Sequence, residues 1–173
     1  MVPHDAGHAA VNLRDGRSVT LAPSSAEDEA DVSRLLEAVA DPRTAFFARA
    51  AARCGRAGAH GAIVARMAGG ELAGYAAWVG EDDGRSGEFA GAVDPQFAKL
   101  GLGTLLVRRG TRDALDAGLG TLRVELHPGS AAVAAMLRDC GLHTHWDLDY
   151  PVARVDLLLG TRHPGWNTPA PAA

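Results

Sequence analysis

The chain has little cysteine, few aromatic residues and no marked excess of either charge. Two cysteines in 173 residues, Cys54 and Cys140, cannot build a disulfide framework, so a reducing cytoplasm is the expected setting. No run is long and apolar enough to span a bilayer, and the start, Met1-Val2-Pro3-His4-Asp5, lacks the charged and apolar regions of a secretory signal, so no membrane partner is expected. A net charge of −4 leaves no basic footprint, which argues against nucleic acid as a partner. No Cys/His cluster has metal-ligand spacing; His143-Thr144-His145 alone is a weak zinc signal, and no metal is expected. No internal repeat is visible.

What is present is an ordinary globular balance. Apolar residues make up 47% of the chain and charged residues 22%, and the length suits one domain with one sizeable core. Residues 1–11 mix small, polar and histidine residues without periodicity and read as a flexible N-terminus. The stretch from 160 to 173 holds three prolines and reads as a flexible tail. The domain is expected over 12–159.

Within it, 19–21 reads as a short strand stopped by Pro23. Ser24-x-x-Glu27 has the pattern of a capping box, and Val32, Leu35, Leu36 and Val39 follow at helical spacing, which predicts a helix over 25–39. Pro42 can open a second helix through Phe46, Phe47 and Ala50. The period then shortens to that of strands over 62–67, 71–79 and 88–93, joined by turns at 68–70 and 82–87. Helices are predicted over 102–117 and 130–140, and strands over 121–126, 144–148 and 152–159. This order predicts an α/β (α+β) fold, a mixed twisted sheet of about six to seven strands flanked by about four helices.

The stretch from Val93 to Thr104 carries the chemistry. It joins a strand end, a tight loop with Gly101 and Gly103, and the start of a helix. Glycine lets the backbone turn sharply and approach a ligand closely. The first N–H groups of the helix, backed by its dipole, form an anion site, and Lys99 adds a positive charge at its rim. The loop is neither a nucleotide P-loop nor a Rossmann loop: it lacks the Gly-Lys-Ser/Thr ending, and Leu106 stands where the third Rossmann glycine would be.

Here the chain resembles the GNAT acetyltransferase superfamily, whose loop reads Gln/Arg-x-x-Gly-x-Gly/Ala after Val-x-Pro. The matching residues are Val93-Asp94-Pro95 and Ala98-Lys99-Leu100-Gly101-Leu102-Gly103. Asn12 to Pro23, Ser86 to Ala90 and Met136 to Leu142 are similar to other elements of bacterial protein-lysine acetyltransferase-like members. Two positions depart from the pattern: Ala98 stands at the Gln/Arg position, and Ser130 where many relatives open a helix with Asn.

The resemblance implies acetyl-CoA as cosubstrate. Its diphosphate would be held by Lys99, Leu100, Gly101, Leu102, Gly103 and Thr104. Its pantetheine arm would run along Ala92 and Val93 between two splayed strands, and Ser130 would add a contact from the last helix. It also implies Glu88 as the general base for attack by a primary amine, with protein lysine favoured, a small amine as the nearest variant, and a homodimer allowed for. A non-catalytic acyl-CoA-binding domain is the different-class alternative. The tyrosine that many relatives use as general acid falls on Leu137, so no acid is assigned. Cys140, at a helix end where the dipole disfavours a thiolate, and Trp78 read as core residues.

Overall fold

A computed structural model describes residues 9–39, 60–126, 130–149 and 152–160. The eight strands are β1 (Ala9–Asn12), β2 (Ser18–Pro23), β3 (His60–Met67), β4 (Leu72–Gly80), β5 (Ser86–Val93), β6 (Thr121–Leu126), β7 (His143–Asp149) and β8 (Val152–Leu158). Three α-helices lie among the described residues: α1 (Glu29–Ala38), α2 (Leu102–Asp116) and α3 (Ala131–Asp139). The strands form one sheet in the order β1-β2-β3-β4-β5-β6-β8-β7. Every neighbouring pair is antiparallel except β5 and β6, which are parallel. A parallel pair needs a crossover, and α2 supplies it.

Alternation decides which side chains go inside. On β6, Leu122, Val124 and Leu126 are buried, whereas Thr121, Arg123 and Glu125 are only partly covered. The larger core lies between the sheet and α2 and α3, with Leu102, Leu106, Val107 and Leu137 set against Ile63, Phe89, Val124, Val155 and Leu157. A smaller core on the opposite face packs Leu35, Val32 and Leu36 of α1 on Val64, Tyr75, Ala77 and Ala90. Helices thus cover both faces, as the element order predicts.

Three details differ from the sequence reading. The opening segment, read as one strand, is a hairpin, with Asn12 paired to Ser18 across a turn at Asp15-Gly16. This adds β1 to the expected count. The capping carboxylate is Asp28, not Glu27: it accepts hydrogen bonds from the Ser25 N–H at 2.8 Å and the Ser25 hydroxyl at 3.1 Å. The register shifts because the Ser24 N–H bonds to the Ala62 carbonyl at 2.8 Å, which prolongs sheet pairing by one residue. It also shifts because Asp28 ties α1 to β3 through Arg66, Nη2–Oδ1 2.6 Å. Finally, α1 is preceded by a 3₁₀ turn, Ala26–Asp28. The helix expected over 42–50 lies outside the described residues.

Candidate active site

The site is built where β5 ends and α2 begins. Pro95 cannot donate to a sheet ladder, so β5 stops at Val93. The Asp94 carboxylate takes the Gln96 N–H at 2.8 Å and caps a short 3₁₀ turn, Pro95–Phe97. Two left-handed residues then turn the chain into α2: Lys99 at φ +64° and Gly101 at φ +90°. Glycine adopts this conformation at no steric cost, but a lysine is held there against its preference, at about 1–2 kcal/mol.

Gly101 occupies the N-cap position and offers no side chain to the first turn of α2. The early N–H groups of a helix have no intrahelical acceptor, so those of the first turn point outward under the positive end of the dipole. Leu102 is buried in the core, Thr104 is partly covered, and Lys99 is exposed. Leu102 therefore has only its main chain to offer a ligand.

Gly103 also sits beneath a side chain of α3. A Cβ on it would lie 2.7 Å from Met136 Sδ, so its lack of a side chain lets α3 pack onto α2. The same Cβ would lie 4.0 Å from Val93 Cγ2, which sets the strand end beside the helix start. Ser130 stands at the N-cap of α3; its carbonyl takes the Ala134 N–H at 3.0 Å, and its hydroxyl makes no capping bond.

The sheet opens at the same end. β5 pairs with β4 over residues 87–93, from Gly80↔Gly87 to Gly74↔Val93. Its pairing with β6 covers only Ser86↔Thr121, Gly87↔Leu122 and Glu88↔Arg123. Beyond Glu88 the strands separate, while β6 stays paired to β8 through Leu126. Residues 89–93 of β5 therefore turn an edge toward β6 without a ladder, next to the loop that leads into α2. Ala92 and Val93, both partly buried, lie on that edge.

Glu88 sits at the fork, partly buried, with Arg123 as its cross-strand neighbour. Arg123 is itself engaged: its Nε donates to Asp156 Oδ1 at 3.0 Å, and its Nη1 lies 3.6 Å from Glu81 Oε1. The Asp156 hydrogen bond, more than the surrounding negative charge, holds the Arg123 proton more firmly than usual. Two residues further along the same β6–β8 ladder, Glu125 pairs with Arg154 at 3.3 Å.

Leu137, at the family's tyrosine position, is core. Cys140 is buried, its Sγ donates to the Leu137 carbonyl at 2.8 Å, and burial pushes its thiol pKa up, so it is no nucleophile. Trp78 belongs to the core, whereas Phe46, Phe47 and Cys54 lie outside the described residues. No group of three metal-binding side chains occurs among the described residues.

Two residues reach the site from distant parts of the chain. Met136 reaches Gly103 from a separate helix. Arg14, in the β1–β2 turn, donates its main-chain N–H to the Leu100 carbonyl at 3.2 Å and so joins the hairpin to the loop.

A family model described as "Acetyltransferase (GNAT) family" matches residues 27–142. No curated protein sequence matches the chain. Among solved structures, the GNAT domain of S. lividans PAT superposes with a TM-score of 0.75 at 20% identity, covering 92% of this chain and all of that one. The structure of yncA from Salmonella typhimurium with its cofactor acetyl-CoA gives a TM-score of 0.60 at 17% identity, covering 83% of this chain and 95% of that one. A Vibrio cholerae spermidine N-acetyltransferase in complex with CoA and spermine gives 0.62 at 15% identity, with 81% and 95% covered.

Proposed function

The chain belongs to the GNAT acetyltransferase family, and from that premise we propose that it moves an acetyl group from acetyl-CoA to a primary amine, in the first instance a protein lysine, with Glu88 as general base. The observation that carries this reading is the fork in the sheet. Pairing between β5 and β6 ends at Glu88↔Arg123, and the open strand edge leads directly into the uncapped N-terminus of α2. An extended arm can hydrogen-bond to the edge at 89–93, with Ala92 and Val93 nearest the loop, while a diphosphate takes the main-chain amides from Lys99 to Thr104. Ser130, opening α3, is the remaining contact.

Acetyl-CoA supplies an acyl group already activated as a thioester, so the new C–N bond forms as the C–S bond breaks. The difficulty lies with the acceptor. A lysine ammonium, with a pKa of about 10.4, has no lone pair to attack with. Glu88 accepts that proton, directly or through one water, which contributes roughly 10²–10⁴-fold. The departing CoA thiolate is a tolerable leaving group, so no acid is needed in place of the tyrosine that Leu137 replaces.

Lysine is favoured over a polycation by the resemblance of residues 12–23, 86–90 and 136–142 to bacterial protein-lysine acetyltransferase-like members. The structural relative solved with spermine keeps small polyamines as the second acceptor class to assay.

Glu88→Gln is the decisive variant. The expected result is a fall in kcat of roughly 10²–10⁴-fold with calorimetric affinity for acetyl-CoA unchanged. Undiminished turnover would remove Glu88 from the mechanism. A wild-type protein that binds acetyl-CoA but acetylates neither a lysine peptide nor a polyamine would favour a non-catalytic acyl-CoA-binding domain.

A further inference from the structure

We propose that Arg14, from the β1–β2 hairpin, is a phosphate clamp of the acyl-donor site, closing on the CoA diphosphate from the side opposite α2. The proposal rests on the acetyl-CoA reading above and adds to it a residue from another part of the chain.

The hairpin is fixed to the loop at two points. The Arg14 N–H donates to the Leu100 carbonyl at 3.2 Å, and the Arg17 guanidinium stacks over the Phe97 ring at 5.0 Å. The Arg14 side chain then lies over the N-cap of α2: a Cβ built on Gly101 would be 3.7 Å from its Nε and 3.9 Å from its Cγ. Arg14 is exposed, and among the described residues no carboxylate pairs with its guanidinium. The nearest in sequence, Asp15, turns instead to Arg17, with Nε–Oδ2 2.6 Å.

A cation at the positive end of a 15-residue helix is unfavourable by itself. Lys99, exposed in the same loop, adds a second positive charge, and Ala98 offers no polar group. An anion held between the guanidinium and the helix turns this repulsion into attraction. Arginine suits a phosphate because its planar fork can donate two parallel hydrogen bonds. The hairpin holds Arg14 through its main chain, so the side chain can be changed without releasing the loop.

The test compares wild type, Arg14→Ala and Arg14→Lys with three donors: acetyl-CoA, 3′-dephospho-acetyl-CoA and S-acetyl-pantetheine. Titration calorimetry reads affinity, and initial rates read KM and kcat. Arg14→Ala is expected to weaken acetyl-CoA and its dephospho form equally, by about tenfold. Arg14→Lys should recover part of that loss. The kcat at saturating acetyl-CoA, the kcat/KM for S-acetyl-pantetheine and the melting temperature should stay at wild-type values. Unchanged acetyl-CoA affinity overturns the clamp. So does an equal loss with S-acetyl-pantetheine, which means general damage to the loop, and so does a loss confined to the 3′-phosphorylated donor. If wild type itself binds no acetyl-CoA, the donor site falls and the clamp with it; if only the variant comparison fails, the donor site stands.

Discussion

The two ends of α2 are built by opposite rules. At the C-terminal end the chain closes on itself: the Gly118 N–H reaches the Leu115 carbonyl at 2.9 Å and the Leu119 N–H reaches the Ala114 carbonyl at 3.0 Å, which satisfies the last carbonyls. At the N-terminal end Gly101 has no side chain with which to cap, and Lys99 before it is held left-handed. Glycine in place of a capping side chain costs roughly a few tenths of a kcal/mol, and the strained lysine adds to it. One helix thus has an end that its own chain closes and an end left open, where the proposed donor site lies. The same contrast runs through β5, laddered over seven residues on the β4 side and over three on the β6 side.

The comparison breaks most sharply at the open end. Gly101→Val places a β-branched residue at φ +90°, which costs about 2 kcal/mol. The loop is expected to leave its present shape, with acetyl-CoA affinity falling about 30-fold. Unaltered binding by calorimetry would show that the N-terminus of α2 does not hold the donor. At the closed end Gly118 stands at φ +96°, yet Gly118→Ala should act on stability alone. A loss of about 1 kcal/mol in urea unfolding with wild-type affinity for acetyl-CoA is expected; a parallel loss of affinity would mean that the two ends are coupled.

Local chemistry was legible in the sequence, and long-range placement was not. The Gly101–Thr104 helix start, the stop at Pro95 and the strand over Glu88–Val93 each carry their signal within a few residues. The contact between Gly103 and Met136 could not be read this way, because Met136 lies on another helix. Arg14 was likewise hidden, since its relation to Leu100 exists only once the hairpin has folded onto the loop. The hairpin itself had a readable mark: Asp15-Gly16 between Val11, Leu13 and Val19, Leu21 is a turn between alternating apolar residues. The capping box was misread by one residue because two serines compete, and sheet pairing at Ser24 with the Arg66 ion pair at Asp28 decides between them.

The smallest effect sharpens the contrast from the closed end. Asp113 lies in the last turn of α2, where the negative end of the dipole disfavours a carboxylate. Burial pushes its pKa up, with Asp116 adding to the rise, and the Arg109 ion pair at 2.9 Å does not fully offset this. A carboxylate with a raised folded-state pKa stabilises most below its unfolded value, about 3.9, and that contribution is lost as pH rises through the folded value. At neutral pH the charged form therefore opposes folding. Asp113→Asn should melt at or slightly above the wild-type temperature at pH 7, by no more than about 2 °C. The difference should vanish as pH falls below about 4, where the wild-type group is itself protonated. A variant markedly less stable at pH 7 would show that the Arg109 pair outweighs both burial and the dipole. Because this change lies a full helix away from Gly101, it should leave acetyl-CoA affinity untouched at every pH.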